Sequence, residues 1–303
     1  GTVLDPTSAA VTGRWIRINY DHIDPRWFGA STSLSDNHSY LQAAIDYSTS
    51  TGVYKPVKIP NGTFNTKPIS CTAGTHLMGS GTTKLQLVVG GTFPAQAAIS
   101  DVGTCPLLYV NGDDVIIEDL EFIGLYNAGS FNSNIAVYDC DDVEIKNCRV
   151  QSASSNGIVL TNTQRCKVTN NLIYRSGGNG IAVHSYNEAA VSNSSGSMRN
   201  IVSNNISYDA SLKDITESPF SGSDNPNYNV FTSNICDTTS KLLFTGTNSI
   251  TGLNVINDTG TDAAQNVMEA RFAAGVTATR GISGTTHADE TYTITAGLIT
   301  GIA

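Results

Sequence analysis

The sequence predicts an all-β protein: a right-handed parallel β-helix with a short N-terminal capping helix and a small C-terminal β segment. Three observations lead there. Apolar residues recur at a fixed step, with Ile135, Ile158 and Ile181 in one series (158 − 135 = 23, 181 − 158 = 23) and Val137, Leu160 and Val183 in another. A further series keeps the same time: Ile145 precedes Val168 (168 − 145 = 23), and VTNNLIY from Val168 returns as VSNNISY from Val202 (202 − 168 = 34). The extra residues of that longer step fall in the polar stretch YNEAAVSNSSGSMRN. Each copy holds only short alternating segments separated by Asn, Gly and Ser. Alternation with period two buries one face of a strand, and strands this short bury a core only by stacking copy on copy. A Leu-rich consensus is missing, and so is a 3.6-residue period, which leaves the parallel β-helix among the solenoids.

Taken in order, residues 1–35 form a leader outside the repeat. The β-helix runs over 36–258, and its start departs from the repeat. Tyr40, Leu41, Ala44 and Ile45 mark one face of a short helix, with Asp36 or Asn37 as N-cap. VKIPNGTF then reads as strand, Pro-Asn-Gly turn, strand. An open solenoid end exposes unpaired backbone and core, so a helix at the first turn serves as its lid. DDVIIEDLEFIG over 113–124 is the copy before the regular repeats; FTSNIC from Phe231 and LNVIND around Val255 are weaker copies after them. The Asn pairs Asn170-Asn171 and Asn204-Asn205 mark sharp bends, where Asn tolerates left-handed backbone and side-chain amides ladder along the axis. Over 259–303 the repeat is lost, and TYTITAGLITGI alternates around Ala296-Gly297 as a hairpin does; this segment is a candidate oligomerisation region.

The chain has 303 residues and a formal net charge of −9, which argues against nucleic acid, whose affinity rests on Lys and Arg. No apolar run approaches the ~20 residues of a membrane span, and no basic leader with an apolar segment opens the chain. Six cysteines occur without zinc-type spacing. They read as free, buried thiols acting as small apolar fillers, with Cys166 and Cys236 on inward positions. No cofactor or metal is expected.

Residues 13 to 81 carry a resemblance. Phe28-Gly29-Ala30, the helix from Gln42 to Asp46, Pro60-Asn61-Gly62-Thr63-Phe64 and Gly79-Ser80-Gly81 resemble the start of the pectate-lyase-like β-helix family, phage tailspikes and polysaccharide depolymerases above all. GRWIR before the Phe-Gly-Ala is similar to the short leader of such tail proteins. The family's acidic, Gly-containing loop is replaced by STSLSDNHS. The resemblance implies a bacterial surface polysaccharide as partner, a homotrimer, and a place on the virion tail after synthesis in the host cytoplasm without a signal peptide. Motifs of this kind specify fold far better than chemistry.

In β-helix enzymes of this class the outward residues of one sheet do the chemistry. By register, the outward columns here are Ala136/Val159/Ala182 and Tyr138/Thr161/His184, with small residues leaving room for a sugar chain. The Asp-Asp pair, Gly-His-Gly and Arg-x-Lys of polygalacturonases are absent, Asn179 standing where the His would be; no column stacks carboxylates as a calcium site does. Alignment at the 34-residue step sets Ile215 on Ile181 and Asp214 on Gly180, projecting Asp214 from the groove sheet. Glu217 falls on inward Val183, so the strand is expected to bend or end before it and leave it in solvent. Glu188 follows His184 in the insertion. Glycoside hydrolysis needs two carboxyl groups ~5–9.5 Å apart, and turns lie ~4.8 Å apart, which admits Glu188 with Asp214 or Glu217 as the catalytic set. Solvated loop acids are the competing reading, and Asp139 is a turn residue and weaker candidate. His184, Tyr138, Tyr186, Tyr208 and Arg175 are the candidate substrate-binding residues, with Phe220 nearby; aromatic rings stack on sugar faces. The expectation is a tailspike-like glycoside hydrolase. Its rivals are a non-catalytic glycan receptor-binding or structural tail protein, and a β-eliminating lyase.

Overall fold

The computed structural model describes residues 21–50, 54–88, 106–126, 133–185, 196–219, 226–237, 242–246, 248–257, 266–272, 276–281, 292–295 and 298–302. The first turn of the solenoid carries β1 (Val57–Lys58), β2 (Gly62–Thr66) and β3 (Ile69–Cys71), and the second β4 (His76–Met78), β5 (Thr83–Leu87) and β6 (Leu108–Val110). Next come β7 (Ile116–Glu118), β8 (Glu121–Ile123) and β9 (Ile135–Tyr138), then β10 (Glu144–Lys146), β11 (Arg149–Gln151) and β12 (Ile158–Thr161). The fifth turn is β13 (Lys167–Thr169), β14 (Leu172–Tyr174) and β15 (Ile181–Ser185). The sixth is β16 (Ile201–Ser203), β17 (Ile206–Tyr208) and β18 (Ile215–Pro219). The last is β19 (Val230–Thr232), β20 (Ile235–Cys236) and β21 (Leu242–Phe244).

Strands one turn apart pair in parallel, giving three ladders that wind as a right-handed β-helix. The third ladder, β3 to β21, is a separate 7-stranded sheet. The first (β1 to β19) and second (β2 to β20) both end on one long strand, β22 (Ile250–Asn257). From there the chain turns back antiparallel through β23 (Asn266–Phe272) and β24 (Val276–Gly281). A separate antiparallel pair, β25 (Tyr292–Thr295) with β26 (Leu298–Ile302), is the hairpin that the alternation in TYTITAGLITGI predicts.

The register is the one read from the repeat. Ile135, Ile158, Ile181 and Ile215 pair in one column, and Val137, Leu160 and Val183 in the next; all are fully buried in one core. The five described cysteines are free and buried, and burial pushes the thiols of Cys71, Cys140, Cys148 and Cys166 up to about 12.

Sharp corners between the short strands are made by left-handed residues. Between the first and second ladders these are Asp119, Asn147, Asn170, Asn204 and Ser233, all with φ between 54° and 58°, a conformation that Asn and Asp tolerate best after Gly. The following residue points inward. Asn171, Asn205, Asn234 and Asn254 form a buried ladder in which the side-chain oxygens of Asn205, Asn234 and Asn254 each accept the N–H and the side-chain amide of the Asn one turn before, at 3.0–3.1 Å, while that of Asn171 accepts Cys148 N at 2.8 Å. Each of the first three amides also donates to a backbone carbonyl, at 3.0, 2.8 and 2.9 Å. Buried amides are tolerable because every donor is used.

At the N-terminal end α1 (His38–Thr49) lies across the first turn, burying Leu41, Ala44 and Ile45. Its side chains satisfy the open strand edge: Gln42 accepts from Ser70 N (2.9 Å) and donates to Ser70 O (3.0 Å), while Asn37 Nδ2 donates to Asn65 O (3.1 Å). The capping hydrogen bond comes from Asp36, whose carboxylate accepts His38 N at 2.9 Å.

Candidate functional site

The third ladder was the expected groove, and its outward columns are closed. Ala136, Val159, Ala182 and Tyr138 form a second buried apolar cluster, with Tyr109 packed against it. Tyr138 is 8% exposed, Thr161 0% and His184 7%. Among the described residues, the small side chains of these columns pack in this cluster.

The two described candidate acids are also buried, which corrects both placements. Asp214 is 0% exposed, not projecting into solvent, and its carboxylate accepts the Asp237 N–H at 2.8 Å. Glu217 aligns with Val183 as expected, but β18 does not end before it. The side chain turns into the solenoid and is 0% exposed. It survives there because donors meet it: Asn229 Nδ2 at 2.8 Å, Ser249 Oγ at 2.6 Å and Gly246 N at 3.2 Å. A Cβ on Gly246 would overlap the carboxyl. Burial raises the carboxyl pKa above the usual range, opposed by those hydrogen bonds. Both carboxylates accept a backbone N–H from the following turn. Glu188, Tyr186 and Phe220 lie outside the described residues. Asp139 is a bend residue with φ 53°.

Tyr208 and Arg175 come together elsewhere, at the far edge of the second ladder, where Arg175 N donates to Tyr208 O at 3.3 Å. Tyr208, 38% exposed, stacks on Tyr174 of the previous turn with centroids 5.4 Å apart and planes at 9°. One face of its ring is therefore already used. The Tyr174 hydroxyl donates to Gln151, and the Arg175 guanidinium lies 5.1 Å over the Tyr126 ring, a cation–π contact.

Beside this edge runs a groove of about 630 Å³ that sequence reasoning missed. One wall is the corner between the first and second ladders, with Asp119, Asn147, Asn170 and Asn204; the floor is the outward column Lys84, Glu121, Arg149, Leu172 and Ile206. Strand alternation explains the floor: Leu85, Phe122, Val150 and Ile173 are buried, so the residue on either side of each faces out. Lys84 Nζ pairs with Glu121 at 3.2 Å, and Gln151 Nε2 donates to Glu121 at 2.5 Å. Of the Asn pairs read as structural, only the second member of each is buried; Asn170 and Asn204 line the groove. The sequence signal was a bend residue followed two positions on by an outward residue, turn after turn.

A sequence model of the family described as "Rhamnogalacturonase A/epimerase, pectate lyase-like" matches residues 28–216. No curated protein matches the chain. Among solved structures, the exopolygalacturonase of Thermotoga maritima is similar at TM-score 0.62 and 13% identity, over 77% of this chain and 66% of that one. An N-terminal fragment of bacteriophage phi29 gene product 12 is similar at TM-score 0.52 and 14% identity, over 73% of this chain and 42% of the other. The surface adhesin PfbA of Streptococcus pneumoniae is similar at TM-score 0.51 and 13% identity, over 80% of this chain and 87% of that one. This chain thus spans just under two thirds of the polygalacturonase and less than half of the phage fragment. At these identities the likeness is one of fold.

Proposed function

The chain belongs to the pectate-lyase-like family of rhamnogalacturonase A and epimerase, and on that premise we propose a phage tailspike-like protein that binds and hydrolyses a bacterial surface polysaccharide. The supporting observation is the open groove, whose floor takes one outward side chain from each of five successive turns of the second ladder, a run of about 19 Å at ~4.8 Å per turn that suits an extended polymer. Tyr208 and Arg175 flank it as additional contacts. Asp119 and Glu121 are the carboxyl groups it contains, and Glu188 is the remaining acid from the repeat reading. A virion-tail location and a homotrimer assembled through the C-terminal strands belong to the same proposal; sedimentation giving a monomer at micromolar concentration removes the trimer.

Incubation with capsule, O-antigen and exopolysaccharide preparations tests the activity. New reducing ends, diminished by orders of magnitude in Asp119→Asn, Glu121→Gln or Glu188→Gln, support hydrolysis. Unsaturated-uronate absorbance replaces it with a lyase. Binding without cleavage leaves a receptor-binding module, the second reading, and no binding to any preparation rejects the proposal.

A further inference from the structure

The groove changes character along the solenoid axis. Each turn contributes a bend residue and, two positions on, an outward strand residue: Asp119 with Glu121, Asn147 with Arg149, Asn170 with Leu172, Asn204 with Ile206. In the first pair Glu121 is already met by Lys84 and Gln151. In the second, Arg149 is exposed, and among the described residues no ion pair holds its guanidinium. The next two pairs each set an amide beside an aliphatic side chain, Ile206 being 41% exposed.

Resting on the reading of this groove as a glycan site, we infer that its ligand is a sparsely charged acidic polysaccharide containing 2-acetamido sugars. A carboxylate-bearing residue sits at Arg149, and a neighbouring acetamido sugar lies over Asn170–Leu172 and Asn204–Ile206. A guanidinium presents a planar fork that matches a carboxylate. An acetamido group is an amide carrying a methyl, so it divides between an Asn side chain and an aliphatic floor as these turns do. Rungs repeat every ~4.8 Å, so a polymer lying along the axis meets the pairs in succession. The net charge of −9 works against a polymer charged at every residue, and screening over ~8 Å leaves an isolated carboxylate to the local field of Arg149.

Calorimetry with the full chain tests this using four probes. Hyaluronan and heparosan oligosaccharides alternate glucuronate with N-acetylglucosamine in two linkages; chitin oligosaccharides carry the acetamide without charge, and oligogalacturonate the charge without acetamide. At least one alternating probe is expected to bind tightest. Arg149→Gln, a change on an exposed strand position, is expected to weaken it about tenfold and to leave chitin oligosaccharides unaffected. Ile206→Ser is expected to weaken the acetamido probes and spare oligogalacturonate. Oligogalacturonate binding as tightly as the alternating probes, indifference of the acidic probes to Arg149→Gln, or no binding by any of the four overturns the inference. Where surface polysaccharide is still bound or cleaved, this inference alone falls; where it is not, the proposed function falls with it.

Discussion

Glu217 occupies a column that neighbouring turns fill with Val183 and Phe244, so replacing it tests what a buried acid does in a solenoid core. Glu217→Ala removes the acceptor of the Asn229 amide, the Ser249 hydroxyl and the Gly246 N–H. Each buried donor left unpaired costs about 1–3 kcal/mol, and the vacated volume adds a cavity term. Relief of carboxyl desolvation offsets part of this, leaving a loss on the order of 3–5 kcal/mol. Solenoid stability is close to a sum over neighbouring turns, so the loss should concentrate at β18 to β22. Hydrogen exchange reads it directly: those amides should lose protection while β9 to β12 keep theirs. Glu217→Gln isolates the ionisation. Burial raises the folded-state pKa above the ordinary 4.5, so the acid's contribution is fully present below pH 4.5 and declines as pH rises through the folded value. Urea unfolding of the wild type should therefore lose stability relative to Glu217→Gln across that rise. Unchanged exchange in Glu217→Ala would refute the hydrogen-bond argument, and parallel pH profiles the electrostatic one.

Three further outcomes follow from the core. Ile181→Asp buries an uncompensated charge between Ile158 and Ile215 and should cost several kcal/mol; a melting temperature within a degree or two of wild type would discredit the register. Asn205→Ala leaves the N–H and amide of Asn171 without their acceptor and should cost about 2–4 kcal/mol by chemical unfolding, whereas Asn204→Ala, exposed but left-handed at φ 57°, should cost only the backbone strain of about 1 kcal/mol. The thiols of Cys71, Cys140, Cys148 and Cys166, raised to about 12 by burial, should resist a thiol reagent at pH 8 until the protein unfolds, since the thiolate is the reactive form; labelling in the folded state would contradict their burial.

The sequence by itself determined the solenoid. A one-residue slip would turn Ile135, Ile158 and Ile181 to the other face, so the apolar repeat left one register available, and the Asn pairs fixed where the chain bends. It also placed the capping helix, because an open strand edge needs covering. Tertiary structure decided which surface is open. The outward column Tyr138/Thr161/His184 alternates just as Lys84/Glu121/Arg149 does, and periodicity tells inward from outward without telling outward from exposed. It likewise decided the fate of Glu217, which desolvation alone would send to solvent. Its acceptance inside depends on Asn229, Gly246 and Ser249, donors from the next turn and the start of β22 that converge only after the chain has wound. Hydrogen-bond satisfaction is a property of three-dimensional neighbours, and no spacing along the chain announces it.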